Sequence, residues 1–289
     1  MTFSKINMPN FFLLGAGRSG STYLYYLLKQ HPDIFMTEPK EPTFFCEQYQ
    51  VIKDPIDYFR LYDSATNEII RGEASHAYLS NPTTARVLRA LFPESKFVVI
   101  LRNPVDRAYS LYHWMRRHGY EPCGTFESAL KVEEYRYNSS AFKHNCPHYF
   151  YNSLYFKSGL YGEQLQRYFE LFPKQQFYIV KYEGFINNPN NYLRHIFQFL
   201  GVSQNFCPEF NVDRNEGTKT SRFPGIHYYI YSKLRRHKLI RKISMALLKV
   251  VNKAEIKPLS LETRRSLMDS YSSDLQLLFD MTGIVFPAQ

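Results

Sequence analysis

The residues with the clearest chemical potential are Gly15-Ala-Gly-Arg-Ser-Gly-Ser-Thr22, a run of glycines and small hydroxyl residues between two apolar stretches. Phe11 to Leu14 before it is typical of a buried strand, and Tyr23 to Leu28 after it suits a helix. Glycines permit positive φ angles and close approach of the backbone to a ligand. The first N–H groups of a helix lack partners within the helix. The pattern therefore predicts a strand, an anion-binding loop and a helix, with phosphate or sulfate as the ligand.

This loop matches the phosphate-binding pattern Gly-x4-Gly-Lys-Ser/Thr only in part. Gly15 and Gly20 have its spacing and Thr22 stands at its hydroxyl position, but Ser21 occupies the place of the lysine. The nearest cation is Arg18, inside the loop. A tight strand-to-helix turn without a ligand is the alternative, and the loop alone favours an anion site over that turn.

A second cation follows Lys96-Phe-Val-Val-Ile-Leu101, a run fit for a central parallel strand. Arg102 ends that strand, and Asn103 and Pro104 suit the start of a helix. Ser110 lies on this helix, about 9 Å of rise beyond Pro104. Because ligands of open α/β sheets bind at the carboxyl ends of strands, Arg102 and Ser110 are predicted to hold a second anionic group of one nucleotide. A surface ion pair is the alternative for Arg102.

A carboxylate lies between the two prolines of Met36-Thr-Glu-Pro-Lys-Glu-Pro-Thr-Phe-Phe45. The prolines predict that Lys40 and Glu41 stand in an extended, stiff segment. Such a segment suits a carboxylate that must lie at a fixed distance from a bound anion. On the residues alone, a surface turn with solvated charges is the favoured interpretation.

The predicted elements alternate between strand and helix, which favours one α/β domain with a central parallel sheet flanked by helices. Tyr135 to Tyr155 is expected to form an irregular aromatic loop suited to binding. The other predicted strands and helices are Ile69–Glu73, Phe177–Val180, Asp57–Tyr62, Pro82–Leu91, Val105–Arg117, Phe126–Glu134, Tyr161–Phe172, Tyr192–Leu200 and Ser260–Phe279.

Length and composition set the class. The 289 residues show no clear linker, so a single domain over residues 1–289 is expected, with a core at about residues 10–222 and a basic helical C-terminal segment at 223–289. No apolar stretch is long enough for a membrane span and no signal peptide is recognisable, so we expect a cytoplasmic chain. The four cysteines show no Cys-x-x-Cys pair, and His144-Asn-Cys-Pro-His148 has no standard zinc spacing; no metal is predicted.

The net charge of +10 comes almost entirely from one segment. Nine basic residues and no acidic one lie between Arg222 and Lys253. Such a charge favours anionic ligands, nucleic acid or a membrane surface, and no nucleic-acid motif accompanies it. Basic residues of this kind most often form a solvent-exposed face. The alternative is a surface that binds the acceptor or faces a membrane. The sequence contains no indication of the oligomeric state.

Taken together, these residues resemble the sulfotransferases that use 3'-phosphoadenosine 5'-phosphosulfate (PAPS), in particular the Golgi carbohydrate and heparan-type branch and its bacterial relatives. The glycine loop is similar to the family's 5'-phosphosulfate loop, and Leu101-Arg-Asn-Pro-Val-Asp-Arg-Ala-Tyr-Ser110 to its 3'-phosphate motif. The resemblance covers most of residues 10 to 222. Further matches are His31-Pro-Asp, Glu41-Pro-Thr-Phe-Phe45, Gly159-Leu-Tyr161, Phe172-Pro173, Tyr182-Glu183 and Phe199-Leu-Gly-Val202.

The resemblance implies direct transfer of a sulfuryl group from PAPS to an acceptor hydroxyl or amine, without a metal. Glu41 occupies the position of the family's catalytic base. A carbohydrate is the first-choice acceptor, with a lipid or small-molecule alcohol next. The residues implied in donor binding are Arg18, Ser19, Gly20, Ser21 and Thr22 for the phosphosulfate, Arg102 and Ser110 for the 3'-phosphate, and Lys219 or Arg222 for closure over the nucleotide.

Two departures from the family pattern affect the site. Arg18 replaces the usual loop lysine, and Ala74 stands where eukaryotic members place a lysine near the reacting sulfate. His76, nearby, is a reserve candidate for the base. An ATP-dependent P-loop kinase is the rival enzyme class, but it requires a lysine at position 21 and an acidic residue after an apolar strand, where this chain has Ser21 and Arg102.

Overall fold

A parallel β-sheet provides the frame for the loops singled out above. The structure is a computed structural model that describes residues 8–146, 148–211, 219–233 and 253–287. Within those residues, five parallel strands pair in the order β2-β3-β1-β4-β5, and a separate antiparallel ribbon pairs β6 with β7. The strands are β1 Phe11–Leu13, β2 Ile34–Met36, β3 Ile70–Ala74, β4 Lys96–Leu101, β5 Phe177–Lys181, β6 Lys219–Ser221 and β7 Lys253–Glu255.

Helices connect the strands of the sheet, as the alternating pattern predicts. The helices are α1 Ser21–Leu28, α2 Pro55–Arg60, α3 Ala77–Ser80, α4 Thr84–Leu91, α5 Pro104–Arg117, α6 Phe126–Lys131, α7 Glu133–Asn138, α8 Ser140–Asn145, α9 Tyr161–Phe169, α10 Tyr182–Asn187, α11 Pro189–Leu200, α12 Pro224–Lys233, α13 Leu261–Ser270 and α14 Ser272–Thr282.

The register of the central strands brings three loop starts to one edge of the sheet. Leu13 of β1 lies beside Ala74 of β3 on one side and beside Val98 of β4 on the other. All residues of β1 and nearly all of β4 are buried, which explains their continuous apolar sequence. The segments after β1, β3 and β4 therefore leave the sheet together, which confirms the predicted α/β class with a central parallel sheet.

The chain divides into two compact units. The first comprises Met1–Asn103, Tyr161–Asn215 and Asp274–Phe286, and the second Pro104–Leu160, Glu216–Ser273 and Pro287–Gln289. The parallel sheet belongs to the first unit. Its core includes Leu24 and Leu27 of α1 and Ile196 and Phe197 of α11, all buried with the strand residues Val98 and Ile100. A single domain over residues 1–289 stays a prediction.

Several predicted helices have different limits in the structure. The helix predicted from Pro82 begins at Thr84, because Asn81 Oδ1 accepts hydrogen bonds from the N–H groups of Thr83 and Thr84. In that helix Leu88 is buried, but Leu91 is 54% exposed. The prediction of one helix over Ser260–Phe279 is wrong, since α13 ends before Tyr271 and α14 begins after it.

The segment Tyr135–Tyr155 is not the irregular loop that we predicted. It contains the end of α7, the whole of α8 and a short 3-10 turn at Phe150–Ser153. Local caps explain the helices, because Ser139 Oγ accepts a hydrogen bond from the N–H of Phe142 at the start of α8. Ser139, a polar residue of the kind that indicates a loop, instead caps a helix.

The basic segment lies mostly outside the described residues. Its first part forms α12, but Arg235, Arg236, Lys238, Arg241, Lys242 and Lys249 are not among the described residues. In the parts of the chain that the structure describes, no helix combines the length and apolar character needed to cross a membrane.

Candidate functional site

The glycine-rich loop extends the pairing of β1 with β4 before it turns away. Leu14 N–H donates to Val98 O at 3.0 Å, and Ala16 N–H donates to Ile100 O at 2.6 Å. Ser19 N–H then donates to Ala16 O at 3.2 Å, which closes a tight turn. Helix α1 follows directly, so the predicted order of strand, loop and helix is confirmed.

Two aromatic rings explain why glycine is required within this loop. A Cβ on Gly17 would lie 2.9 Å from Cδ2 of His76. A Cβ on Gly20 would lie 2.8 Å from Cε2 of Tyr182, and Gly20 also has a φ of 87°. The loop backbone therefore packs directly against both rings, which larger residues would prevent.

The start of α1 has the features of an anion site. Gly20 occupies the N-cap position, and no side chain caps the helix. Ser19 is fully buried, and its Oγ has no hydrogen-bond partner within the residues that the structure describes. Ser21 is also buried, at 7% exposure. A buried hydroxyl and helix N–H groups fit the oxygen atoms of a phosphate or sulfate group.

The cation at the end of β4 lies beside the main chain of the glycine loop. Nη1 of Arg102 donates to the main-chain oxygen of Arg18 at 3.5 Å. The guanidinium of Arg102 also lies over the ring of Tyr182, 5.0 Å from the ring centroid, and its own main-chain oxygen accepts a hydrogen bond from Tyr161 Oη. The strand-end cation is thus held beside the glycine loop.

Arg18 itself has an unusual backbone conformation. Its φ is 69°, in the left-handed region that costs a non-glycine residue about 1–2 kcal/mol. Residues in such conformations cluster at ligand sites, where the surrounding structure holds them. The loop therefore keeps an arginine at a position that glycine would occupy with less strain.

Glu41 contacts His76 and Lys40. Oε2 of its carboxylate contacts Nδ1 of His76, and Oε1 contacts Nζ of Lys40. The main-chain N–H of Glu41 donates to Ala74 O at the end of β3, at 3.0 Å. Since Gly17 lies against the other side of the His76 ring, the imidazole stands between the Glu41 carboxylate and the anion loop.

The prediction that Glu41 lies in an extended segment is wrong. Its φ is 65°, and Thr43 has a φ of 48°. Proline at position 42 biases the preceding residue toward extended conformations, but contacts with the end of β3 override that bias. Thr43 N–H donates to Ser75 Oγ at 3.2 Å, in addition to the bond from Glu41 to Ala74.

The surroundings of Glu41 change its acidity. Burial alone would raise the pKa of this carboxyl group, but His76 and Lys40 outweigh burial and hold the pKa well below its usual range. The side chain is still 26% exposed, so a ligand can reach it. The carboxylate is therefore ionised over the whole physiological pH range while its two partners stay in place.

The remaining predicted site residues belong to the second unit. Ser110 lies on α5 with intermediate exposure. Lys219 is exposed on β6, and its main-chain oxygen accepts a hydrogen bond from Arg117 Nε at 2.7 Å. Arg222 is exposed and lies over the ring of Phe223. The predicted roles of these three residues stay predictions.

The aromatic residues expected to stack on an acceptor divide by burial. Tyr149, Phe150 and Tyr155 are buried, so they serve the interior of the second unit and not a binding surface. Tyr135 is 72% exposed and Tyr137 is 37% exposed. Tyr135 and Tyr137 are therefore exposed to a ligand, and Phe142 and Tyr151 are partly exposed.

Sequence reasoning missed two participants of the site. The sequence pattern places Lys40 in the stiff segment but indicates no partner for it. Apart from the adjacency of the two residues, no sequence feature predicts the contact of Lys40 with Glu41. Tyr182 packs on Gly20 and on the Arg102 guanidinium, and its only signal was the Tyr182-Glu183 match to the family. Across the described ranges, no cluster of three or more His, Cys, Asp or Glu side chains could hold a metal ion.

The central parallel sheet, with a glycine loop between its first strand and first helix, defines a protein of the P-loop-like α/β class. Residues 8–242 match the sulfotransferase domain family, and the chain belongs to that family. The family resemblance stated from the motifs is thereby confirmed.

Relatives of this chain include one solved structure of similar size. A crystal structure of a sulfotransferase from Alicyclobacillus acidocaldarius is 27% identical, with a TM-score of 0.73, and the match covers 96% of this chain and 97% of that one.

Two curated relatives are longer proteins. The membrane-associated sulfotransferase kil1 of Dictyostelium discoideum is 26% identical, over 70% of this chain and 58% of that protein. The human bifunctional heparan sulfate N-deacetylase/N-sulfotransferase 2 is 27% identical, over 73% of this chain and 24% of that protein. The chain thus spans less than two thirds of either relative.

Proposed function

We propose that this protein transfers a sulfuryl group from PAPS to a hydroxyl or amine of an acceptor. One observation carries the proposal: the ring of His76 contacts the Glu41 carboxylate and also lies against Gly17 of the anion loop. A group that can take a proton is therefore joined to a loop suited to an oxyanion. Family membership supplies the reaction class.

Donor binding is assigned to the loop and to the end of β4. The hydroxyl of Ser19 and the N–H groups of Gly20, Ser21 and Thr22 would hold the phosphosulfate, with Arg18 supplying positive charge. Arg102 would hold the 3'-phosphate, because its guanidinium can donate two parallel hydrogen bonds to such a group. Ser110 is proposed for the same phosphate, and Lys219 or Arg222 for closure, on the family resemblance.

The chemistry required of the protein is proton removal and charge stabilisation. PAPS, when bound, supplies a sulfuryl group attached to a phosphate leaving group. The acceptor oxygen or nitrogen forms its bond to sulfur as the bond from sulfur to phosphate breaks, and Glu41 takes the acceptor proton. Arg18 and the loop N–H groups offset the charge that develops on the transferring group and on the phosphate.

The low pKa of Glu41 favours a second candidate for the base. A carboxylate held by His76 and Lys40 is a weak proton acceptor until one of these partners moves. If both contacts persist and the imidazole is neutral, His76 takes the proton and Glu41 orients the ring, whereas a charged imidazole could only hold Glu41 in place. The two assignments differ in the effect of replacing His76.

A carbohydrate is the proposed acceptor, since the longer human relative is named as a heparan sulfate N-sulfotransferase. A lipid or small-molecule alcohol is the alternative. One domain over residues 1–289 would carry this activity.

A ligand-stability experiment tests the donor class against the kinase alternative. The melting temperature is measured with 3',5'-adenosine bisphosphate and, in parallel, with ATP and Mg²⁺. Stabilisation by the bisphosphate supports the proposal, because the loop and Arg102 would hold its two phosphates. Stabilisation by ATP with Mg²⁺ and none by the bisphosphate would overturn it.

A further inference from the structure

Glu73 is a fully buried carboxylate that the proposed reaction does not use. It lies on β3, one residue before the strand ends. Its hydrogen bonds in the described part of the chain come from hydroxyl groups: Tyr58 Oη donates at 2.7 Å, Ser75 Oγ at 2.8 Å and Tyr78 Oη at 3.1 Å. Burying a carboxylate whose hydrogen-bond partners are all neutral hydroxyl groups reduces the free energy of unfolding. A functional role for Glu73 would explain why the fold keeps it.

Two of these three hydroxyl groups also accept hydrogen bonds from the segment that carries Glu41. Ser75 Oγ accepts from Thr43 N–H at 3.2 Å, and Tyr78 Oη accepts from Phe45 N–H at 3.2 Å. Because each hydroxyl hydrogen points to Glu73, the oxygen lone pairs are left to face the segment. Glu73 thus determines which way both hydroxyl groups are turned.

We infer that Glu73 is a positioning residue for Glu41, acting through the hydroxyl groups of Ser75 and Tyr78, which hold the Glu41–Phe45 segment in its left-handed turn. The inference rests on the proposed function, because it assumes that Glu41 serves the reaction. Thr43 has a φ of 48°, a conformation that a β-branched residue keeps only when its surroundings enforce it. The two hydrogen bonds contribute to that constraint, together with the one that Val51 N–H donates to Thr43 Oγ1 at 3.0 Å.

The protonation of Glu73 bears on the same arrangement. Burial, with a smaller contribution from the nearby charge of Glu41, raises the pKa of this carboxyl group to about 7, against the hydrogen bonds from Tyr58, Ser75 and Tyr78. The tyrosines that face it, Tyr58, Tyr62 and Tyr78, stay protonated because burial raises each pKa well above 10.0. A proton on Glu73 would make one of its oxygens a donor and remove its negative charge, which weakens the hydrogen bonds that it accepts from these hydroxyl groups.

The test compares Glu73→Gln and Tyr78→Phe with Tyr58→Phe as the matched control. Tyr58→Phe removes a hydrogen bond to Glu73 but no bond to the Glu41 segment. We expect kcat to fall on the order of 10–100-fold in the first two variants, with KM for PAPS near the wild-type value, and to stay near wild type in the control.

Amide hydrogen exchange provides a measurement that does not depend on activity. Exchange at the N–H groups of Thr43 and Phe45 should become faster in Glu73→Gln and should be unchanged in Tyr58→Phe. If Glu73→Gln does not fold, the same amide exchange is measured in Ser75→Ala and Tyr78→Phe, and faster exchange at Thr43 and Phe45, respectively, is expected. Unchanged exchange at both amides overturns the inference even if the wild type proves to transfer no sulfate, which would overturn the proposed function separately.

Discussion

Nδ1 of His76 contacts Oε2 of Glu41, and the same imidazole ring fills the space that a side chain on Gly17 would need. One ring therefore connects the candidate proton acceptor to the candidate anion loop. The two residues are far apart in the sequence, and β3 brings them together because Glu41 N–H donates to Ala74 O, two residues before His76.

Replacing the Glu41 carboxylate should stop turnover and leave nucleotide binding largely intact. Glu41→Gln removes the proton acceptor but keeps the size of the side chain, so kcat should fall by about 10²–10⁴-fold. Glu38→Gln is the matched control, because Glu38 is 65% exposed and pairs with Lys29 outside the site. Steady-state kinetics and calorimetric titration of 3',5'-adenosine bisphosphate measure the two effects. Wild-type sulfate transfer by Glu41→Gln would refute the role of Glu41.

Removing His76 should reveal which group takes the proton. In His76→Ala the pKa of Glu41 rises, since burial is then opposed by Lys40 alone. A base works only when ionised, so the loss of kcat/KM toward acid should begin at a higher pH than in the wild type. If His76→Ala is active and its kcat/KM falls toward acid at a higher pH than that of the wild type, Glu41 is supported as the base. Loss of turnover at every pH, equal to that of Glu41→Gln, would assign the proton to His76.

Adding one methyl group at Gly17 should disturb the site more than the fold. The new Cβ would lie 2.9 Å from Cδ2 of His76, so the ring must shift away from its position beside Glu41. Gly124→Ala is the control, because a Cβ there meets nothing within 4 Å. We expect a loss of kcat on the order of 100-fold for Gly17→Ala and wild-type rates for the control. Equal rates in both variants would contradict the close approach of loop and ring.

Two replacements of Arg18 should separate charge from backbone strain. Both Arg18→Ala and Arg18→Gly remove the loop cation, so both should reduce sulfate transfer more than they weaken binding of 3',5'-adenosine bisphosphate. With a φ of 69°, position 18 should favour glycine over alanine by about 1 kcal/mol in the free energy of unfolding. Urea unfolding of the two variants measures the difference. A more stable alanine variant would show that the left-handed conformation is not held in solution.

The buried Glu73 should make stability depend on pH in an uncommon direction for a carboxyl group. Its pKa is raised in the folded chain from the ordinary value of 4.5 to about 7, so the folded state binds more protons than the unfolded state between these values. Its contribution to the free energy of unfolding is therefore fully present below pH 4.5 and is lost as the pH rises through 7. Relative to Glu73→Gln, wild-type stability should fall across that interval. A rise across it would contradict a raised pKa.

Local sequence patterns were sufficient for four of the five strands of the parallel sheet and for the strand, loop and helix around the glycines, but not for β2 at Ile34–Met36. The run from Phe11 to Leu28 encodes a buried strand, a turn and a helix within a few residues, and Lys96 to Leu101 encodes a central strand by its apolar continuity. Arg102 was predicted to lie near the loop because strands of a parallel sheet end at a common edge, and its contact with Arg18 O follows from that rule.

Long-range contacts account for what the sequence could not predict. The conformation of Glu41 depends on hydrogen bonds to Ala74 and Ser75, more than thirty residues away, which override the extended bias of the residue before a proline. The burial of Tyr149 and Tyr155 likewise depends on how the second unit folds around them. Family resemblance, and no local pattern, singled out Glu41.

The central claim is sulfuryl transfer from PAPS at the loop that connects β1 to α1. Its most direct test is the transfer of labelled sulfate from PAPS to panels of glycans, lipids and small alcohols by the wild-type protein. We predict label on a hydroxyl or amine of at least one acceptor, with release of 3',5'-adenosine bisphosphate, and labelling slower by about 10²–10³-fold with Arg18→Ala at the same nucleotide occupancy. Equal labelling by the wild type and Arg18→Ala, or no labelling of any acceptor by wild-type protein saturated with PAPS, would contradict the account.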